Sequence, residues 1–305
     1  MIQRKKENWF ALLFVWRGSV LPKLYPRLVL LLALSVGIVY LNGTVYHYKV
    51  PLNPAPFTIF GLAIALFLGF RNTASYDRFW EGRKLWGALL INSRSLGRQA
   101  LSLTTYPRES AQIRHFTHLL IAFTYALKHQ LRKTDPLPDL QRLLPAELTT
   151  AVYSAQFKPV TIMREMGYWL QTAKAAGHLD AIGQAAMDDN LNKLSEVLGG
   201  CERIASTPIP YTYQVLLHRT VYLYCFLLPF GLVDTLGWLT PLIVVFVGYT
   251  FVAFEAIADE LEEPFGLEPN DLALDAISCT IETTLLELAG MPVPEQPKTE
   301  PFIVS

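Results

Sequence analysis

The sequence predicts an all-α membrane protein with four membrane-crossing helices and a large helical water-facing body. Three observations carry this. Of 305 residues, 51% are hydrophobic and only 17% charged, and the mean hydropathy is +0.27, too apolar for an ordinary soluble domain. Uncharged runs long enough to cross a bilayer stand at both ends of the chain, with about 140 residues of amphipathic helical pattern between them. No alternating strand pattern of any length interrupts that middle region. The formal net charge is zero, so no global field argues for a nucleic-acid partner. Cys201, Cys225 and Cys279 are far apart and make no C-x-x-C, which specifies neither a disulfide framework nor a zinc site.

The elements follow in order. Residues 1–27 begin basic, and the patch from Trp9 to Trp16 is short, aromatic and followed by Arg17 without a small-residue cleavage site. They read as a retained cytoplasmic or interfacial helix anchored by Trp9 and Trp16. The first spanning helix is expected over Leu28–Tyr46, uncharged and about 28 Å long. Arg4, Lys5, Lys6, Arg17, Lys23 and Arg27 precede it, and the loop from His47 to Pro56 carries only Lys49. The bias places both termini in the cytoplasm and this loop outside.

The second helix, over residues 57–87, starts apolar and turns polar at Arg71. Its fourteen uncharged residues Phe57–Phe70 span about 21 Å, short of the ~30 Å hydrocarbon core. Such a helix still crosses when protein or water surrounds its remainder. Leu62, Leu66 and Phe70 lie at i, i+4 and i+8 on one face, and Gly61, Ala65 and Gly69 form a stripe of small residues about 100° away. On spacing alone the large stripe suits a pore lining, but lipid or core contact is the commoner use. Residues 28–70 thus form the first membrane pair.

Residues 71–214 read as a cytosolic helical region, with amphipathic helices at Ser93–Leu103, Ser110–Leu131, Pro159–Ala176 and Asp180–Ile204, and turns at PLPDL and Pro145. Residues 215–257 hold the second membrane pair. Thr220–Val233 contains Pro229 and Gly231 and is expected kinked or broken; Leu236–Phe254 is cleaner, after a tight DTLG turn. Residues 258–289 form a cytosolic acidic segment and a helix to about Leu288, and 290–305 a flexible proline-rich tail.

Isolated side chains point to little chemistry. His115 and His118 share a helix face, but no carboxylate or cysteine stands at a helpful spacing; His178 and His218 look isolated. Glu255, Asp259, Glu260, Glu262 and Glu263 suggest a solvated or intersubunit salt-bridged face, and Asn270 or Asp271 a cap for the following helix. A divalent-metal site is neither indicated nor excluded. No hydrolase, nucleotide-binding or zincin motif is present, which argues against an enzyme.

Five strings together resemble the bestrophin family in its bacterial branch: RNTASYDRFWEGRKLWG at 71–87, NSRSLGRQ at 92–99, TPIPYTY at 207–213, LPFGLVDTLGW at 228–238 and ELEEPFGLEPNDLALD at 260–275. Asn72, Arg78, Trp80, Glu81, Trp86, Pro264, Phe265 and Gly266 carry the motif. The resemblance implies a homopentameric ion channel in the bacterial inner (plasma) membrane, with lipids and monovalent ions as its other partners. It implies a neck of three apolar residues, the last eight before the arginine of R-x-W, which gives Leu62, Leu66 and Phe70. Leucines stand at positions where isoleucine or phenylalanine is common in the family. The implied cytosolic aperture is Leu179 or Ile182, with Ile182 preferred. Bacterial members imply selectivity for cations such as sodium; a chloride or other anion channel of the same fold is the alternative, and a non-conducting membrane scaffold the reading outside the class. No cofactor is implied. Eukaryotic members bind calcium after the PFG motif, where this chain reads Leu267, Glu268, Pro269, Asn270, Asp271 with only two acids, so calcium activation is not expected.

Overall fold

The computed structural model describes residues 9–12, 15–16, 18–45, 48–50 and 52–294. Arg4, Lys5, Lys6, Arg17, His47 and most of the proline-rich tail lie outside them. The chain is mostly helical. Helix α1 is Trp9–Leu12, α2 Leu21–Tyr40, α3 Pro54–Leu103, α4 Ala111–Arg132, α5 Leu137–Leu143 and α6 Ala146–Ser154. Helix α7 is Lys158–Ala175, α8 Ala181–Ser206, α9 Tyr211–Leu236, α10 Thr240–Glu262 and α11 Leu274–Ala289. Strands β1 (Thr44–Val45) and β2 (Tyr48–Lys49) form a small antiparallel hairpin.

Two compact units share α3. Among the described residues, one is built from those up to 79 together with 208–263, the other from 80–207 and 264–294. Among the described residues, three stretches are long and apolar enough to cross a membrane: α2, α3, and Tyr211–Glu262. The last is α9 and α10 joined by a 3-10 turn at Gly237–Leu239.

In the first unit, α2 begins at Leu21 rather than Leu28, because Pro22 sits in the first turn, where its missing N–H costs nothing. It ends at Tyr40, six residues before the expected Tyr46. Asn42 (φ 49°) and Gly43 (φ 72°) adopt left-handed conformations, and their amides bond back to Val39 and Ile38 at 3.0 and 2.9 Å, closing the helix in a Schellman motif. Helix α9 is continuous through Pro229, so the expected break is absent. The DTLG turn falls later than expected, with Asp234 to Leu236 still helical. The core of this unit draws Leu24 from α2, Ile64 and Leu68 from α3, Leu217 and Val221 from α9, and Val252 from α10.

In the second unit, α4 is the buried centre, packed by α7, α11 and α5. Ser110 caps it, accepting the Ile113 amide at 3.3 Å, and Lys133 (φ 55°) ends it. The segment around PLPDL is a helix, not a turn: Pro136 and Pro138 occupy the cap and first turn of α5, where proline is tolerated. Pro145 likewise opens α6. Ser93–Leu103, expected as a separate helix, is the end of α3. With no proline between Pro56 and Pro107, nothing interrupts those 50 helical residues.

Candidate functional site

Helix α3 is started by Asn53, whose side chain accepts the Ala55 amide at 2.8 Å. Within the first unit its buried face runs Ile64, Leu68, Arg71 and Ser75. Counted at about 100° per residue, Leu62, Leu66 and Phe70 lie on the opposite side. They are 65%, 56% and 67% exposed. The three large apolar side chains therefore share one face, turned away from the helices of their own unit, over about 12 Å of axis. The small-residue stripe is only partly used inside the unit. A Cβ on Gly61 would stand 2.8 Å from the Tyr224 hydroxyl, whereas one on Gly69 would meet nothing within 4 Å.

Continuing inward, Thr73 and Asp77 fall on the same angular face as the apolar triplet, and both are exposed. Asp77 is the first ionisable residue there, because Arg71 points the other way. The sequence reading missed this; the i+7 spacing from Phe70 was the available signal.

Arg71 is fully buried and paired with Asp259 and Glu262 of α10; its Nε and Nη1 have no protein partner. Glu262 also accepts the Ile209 amide at 3.0 Å, and its carbonyl accepts Arg78 Nε at 3.1 Å. Asn72 donates to the Leu68 and Phe254 carbonyls at 2.9 and 3.1 Å. Lys23 meets Glu260 at 3.0 Å and His218 meets Glu255 at 2.6 Å. The acidic run is thus mostly a set of ties within the chain rather than the expected solvated or intersubunit face, and His218 is not isolated. These polar groups find partners because leaving them buried and bare costs more.

The remaining motif residues belong to the second unit, apart from Trp80's near neighbour Arg78. Trp80 stacks under the Arg83 guanidinium, 5.0 Å from ring centroid to Cζ. Glu81 pairs with Arg203, and Trp86 is fully buried. Phe265 is buried against Gly82. After Pro264–Phe265–Gly266, the Asp271 carboxylate accepts the Glu268 amide at 2.8 Å, and the Leu272 amide bonds to the Pro264 carbonyl at 3.0 Å. Asp271 therefore closes its own loop rather than capping α11, whose cap position is Ala273.

At the start of α8 the two aperture candidates separate. Leu179 is 4% exposed and Ile182 is 81% exposed. Asp180 caps α8 through the Gly183 amide, and His178 bonds Thr105 at 2.6 Å and lies tilted against the Tyr106 ring, 4.2 Å between centroids. His178, expected isolated, thus helps hold the turn that presents Ile182. His115 and His118 both have pKa values below the ordinary histidine value, chiefly from burial, opposed at His115 by Glu165. Among the described residues no group of three or more metal-ligating side chains assembles. Cys201 is buried, which raises its thiol pKa to about 12, unsuited to reaction as a thiolate.

Comparison with known proteins gives consistent matches. A family model described as bacterial/fungal bestrophin protein matches residues 1–287. A protein of Ralstonia nicotianae named voltage-dependent anion channel-forming protein is 49% identical over 292 residues, covering 96% of this chain and 95% of its own. A protein of the same descriptive name from Escherichia coli is 46% identical over 288 residues, 94% of each chain. The crystal structure of a bacterial bestrophin homologue from Klebsiella pneumoniae matches with a TM-score of 0.85 at 43% identity, covering 88% of this chain and 99% of that one.

Proposed function

The chain belongs to the bacterial/fungal bestrophin family, and from that premise we propose that it is a passive ion channel in the bacterial plasma membrane. It is a channel protein rather than an enzyme. In this reading five copies surround one axis, and Leu62, Leu66 and Phe70 line a neck of three stacked apolar rings. The observation that carries it is the outward aim of that triplet: in a membrane-type helix whose other face packs its own unit, it needs an axis, a neighbour or lipid beside it. An apolar constriction of this kind conducts when wetted and closes when dewetted. Ile182, exposed beside the N-terminus of α8, is the aperture residue in the same reading.

The neck offers no charge to choose an ion. Asp77 supplies one. Five copies just inside the neck would place an acidic ring on the path, which favours monovalent cations such as sodium. An anion-conducting alternative is favoured by the names of the curated relatives, which call them anion channel-forming. Calcium is not required in this proposal, since the Asp271 carboxylate already serves the loop at 268–271. Both chain ends lie in the cytoplasm: Lys23 and Arg27 stand at one end of α2, and Lys49 alone, paired with Asp234 at 2.7 Å, marks the other.

The reversal potential of purified protein in a planar bilayer under a sodium chloride gradient tests ion choice. The proposal expects a shift toward the sodium equilibrium potential, reduced in Asp77→Asn. A shift toward chloride selects the anion reading, and absence of current from well-folded protein contradicts a channel.

A further inference from the structure

A groove of about 630 Å³ lies between α2 and α9, within the range of about 300–1,000 Å³ typical of small-molecule sites. Leu31 and Leu34 of α2 and Leu223 and Phe226 of α9 form its walls, with Val252 of α10 also lining it. Arg27 and Arg219 stand at one end. The spacing explains the polarity: Arg27 precedes Leu31 and Leu34 by one and two turns, and Arg219 precedes Leu223 and Phe226 by the same intervals. Each helix brings one cation to the same end of a shared apolar trough.

Among the described residues neither guanidinium has a carboxylate partner. Arg27 lies over the Tyr222 ring, 5.8 Å from its centroid. Glu255, packed near this end, meets His218 at 2.6 Å through one carboxylate oxygen, and its other oxygen is buried without a protein hydrogen bond. The Tyr222 hydroxyl, beside the groove, is buried and stands next to the Arg27 guanidinium. Two guanidinia without a carboxylate partner among the described residues, one of them beside a tyrosine hydroxyl, above an apolar trough match a phosphate bearing an acyl chain. A zwitterionic headgroup would bring its own cation against Arg27 and Arg219, and an ordinary soluble anion would leave the trough unfilled.

We propose that this groove binds an anionic phospholipid of the cytoplasmic leaflet, with the phosphate on Arg27 and Arg219 and an acyl chain along Leu31, Leu34, Leu223 and Phe226. The leaflet assignment rests on the orientation proposed above; the lipid chemistry does not. Leu30, Leu223 and Phe226 remain exposed along the trough, as a lipid-facing site requires.

The test is native mass spectrometry of the full chain in mild detergent, titrated with phosphatidylglycerol or with phosphatidylcholine. Wild-type protein should retain phosphatidylglycerol preferentially. Losing both cations in Arg27→Gln/Arg219→Gln should weaken that retention about thirtyfold, about fivefold per arginine. The Arg27→Lys/Arg219→Lys variant should keep most of it, and Leu223→Trp, which fills the trough without touching the cations, should weaken both lipids. Equal retention of the two lipids by wild type, or unchanged retention in the glutamine variant at wild-type melting temperature, would overturn the proposal. Displacement of phosphatidylglycerol by millimolar inorganic phosphate would overturn it in favour of a simple anion site. Dissociation of the assembly in the glutamine variant, with lipid retention per chain unchanged, would assign the groove to a second copy of the chain. The assay reads binding and not flux, so its failure leaves the channel reading intact, and a silent channel leaves this site intact.

Discussion

Gly82 leaves the space that the Phe265 ring fills: a Cβ there would stand 3.1 Å from the ring, and 3.4 Å from Leu272. Two residues far apart in sequence, both in recognisable motifs, thus turn out to be the two halves of one contact. Phe265→Ala should destabilise the protein by about 3–5 kcal/mol, seen as a lower midpoint in denaturant unfolding of the detergent-solubilised chain. An unchanged midpoint would mean that the ring is not a packing residue. At this scale the sequence made the triplet Leu62, Leu66, Phe70 legible through its four-residue spacing. It left Leu179 and Ile182 unseparated, because burial of one and exposure of the other depends on how the turn at 177–180 is held by the bond between Thr105 and His178, a contact across 73 residues.

The ion pairs tie whole elements together. Arg71 bridges α3 to α10 from a fully buried position, and removing one carboxylate leaves a buried cation half-compensated. Glu262→Ala is expected to cost about 3–5 kcal/mol, read as a fall in melting temperature; an equally stable variant would show the pair to be dispensable. In the second unit, Lys128, His129 and Arg132 of α4 meet Asp139 of α5 and Asp275 of α11, while Arg142 pairs with Glu282. Burial alone would raise the carboxyl pKa values of Asp139 and Asp275. The hydrogen bonds to His129 and Lys128 respectively, with the nearby cations, outweigh it and hold both below the ordinary value. A carboxylate with a depressed folded pKa contributes stability that is present above the unfolded value of about 3.9 and is lost as pH falls through the folded one. Melting temperature should therefore drop as pH is taken below about 4, and Asp139→Asn/Asp275→Asn should flatten that drop. A double variant with the wild-type acid profile would contradict this assignment. The helices themselves were largely legible, because their ends are set locally: the helices expected to begin at Ser110 and Asp180 begin one residue later, with those two side chains as their caps. Their partners were not. Glu255, Asp259 and Glu262 read as a solvated run until α10 is seen against His218, Gln214 and Arg71, contacts formed across 37 to 191 residues.

At the scale of the molecule, the exposed faces of α3 account for what one chain leaves unfilled. The apolar triplet and the open Gly69 side both lack cover among the described residues, which is what subunits packed around an axis would supply. The protein–only mass of the detergent-solubilised particle should be about five times the 34.4 kDa chain; a monomer would remove the axis and the neck with it. Assembly is an expectation of the family resemblance alone, since neither composition nor periodicity states what a bare helix face packs against. The central claim is that this face lines the conducting path, and single-channel conductance of wild-type, Leu66→Ala, Phe70→Ala and Leu66→Trp protein in a planar bilayer tests it most directly. Truncating either side chain should raise conductance severalfold by widening and wetting the neck, while Leu66→Trp should abolish it. Currents indistinguishable from wild type in all three variants would place the conducting path elsewhere.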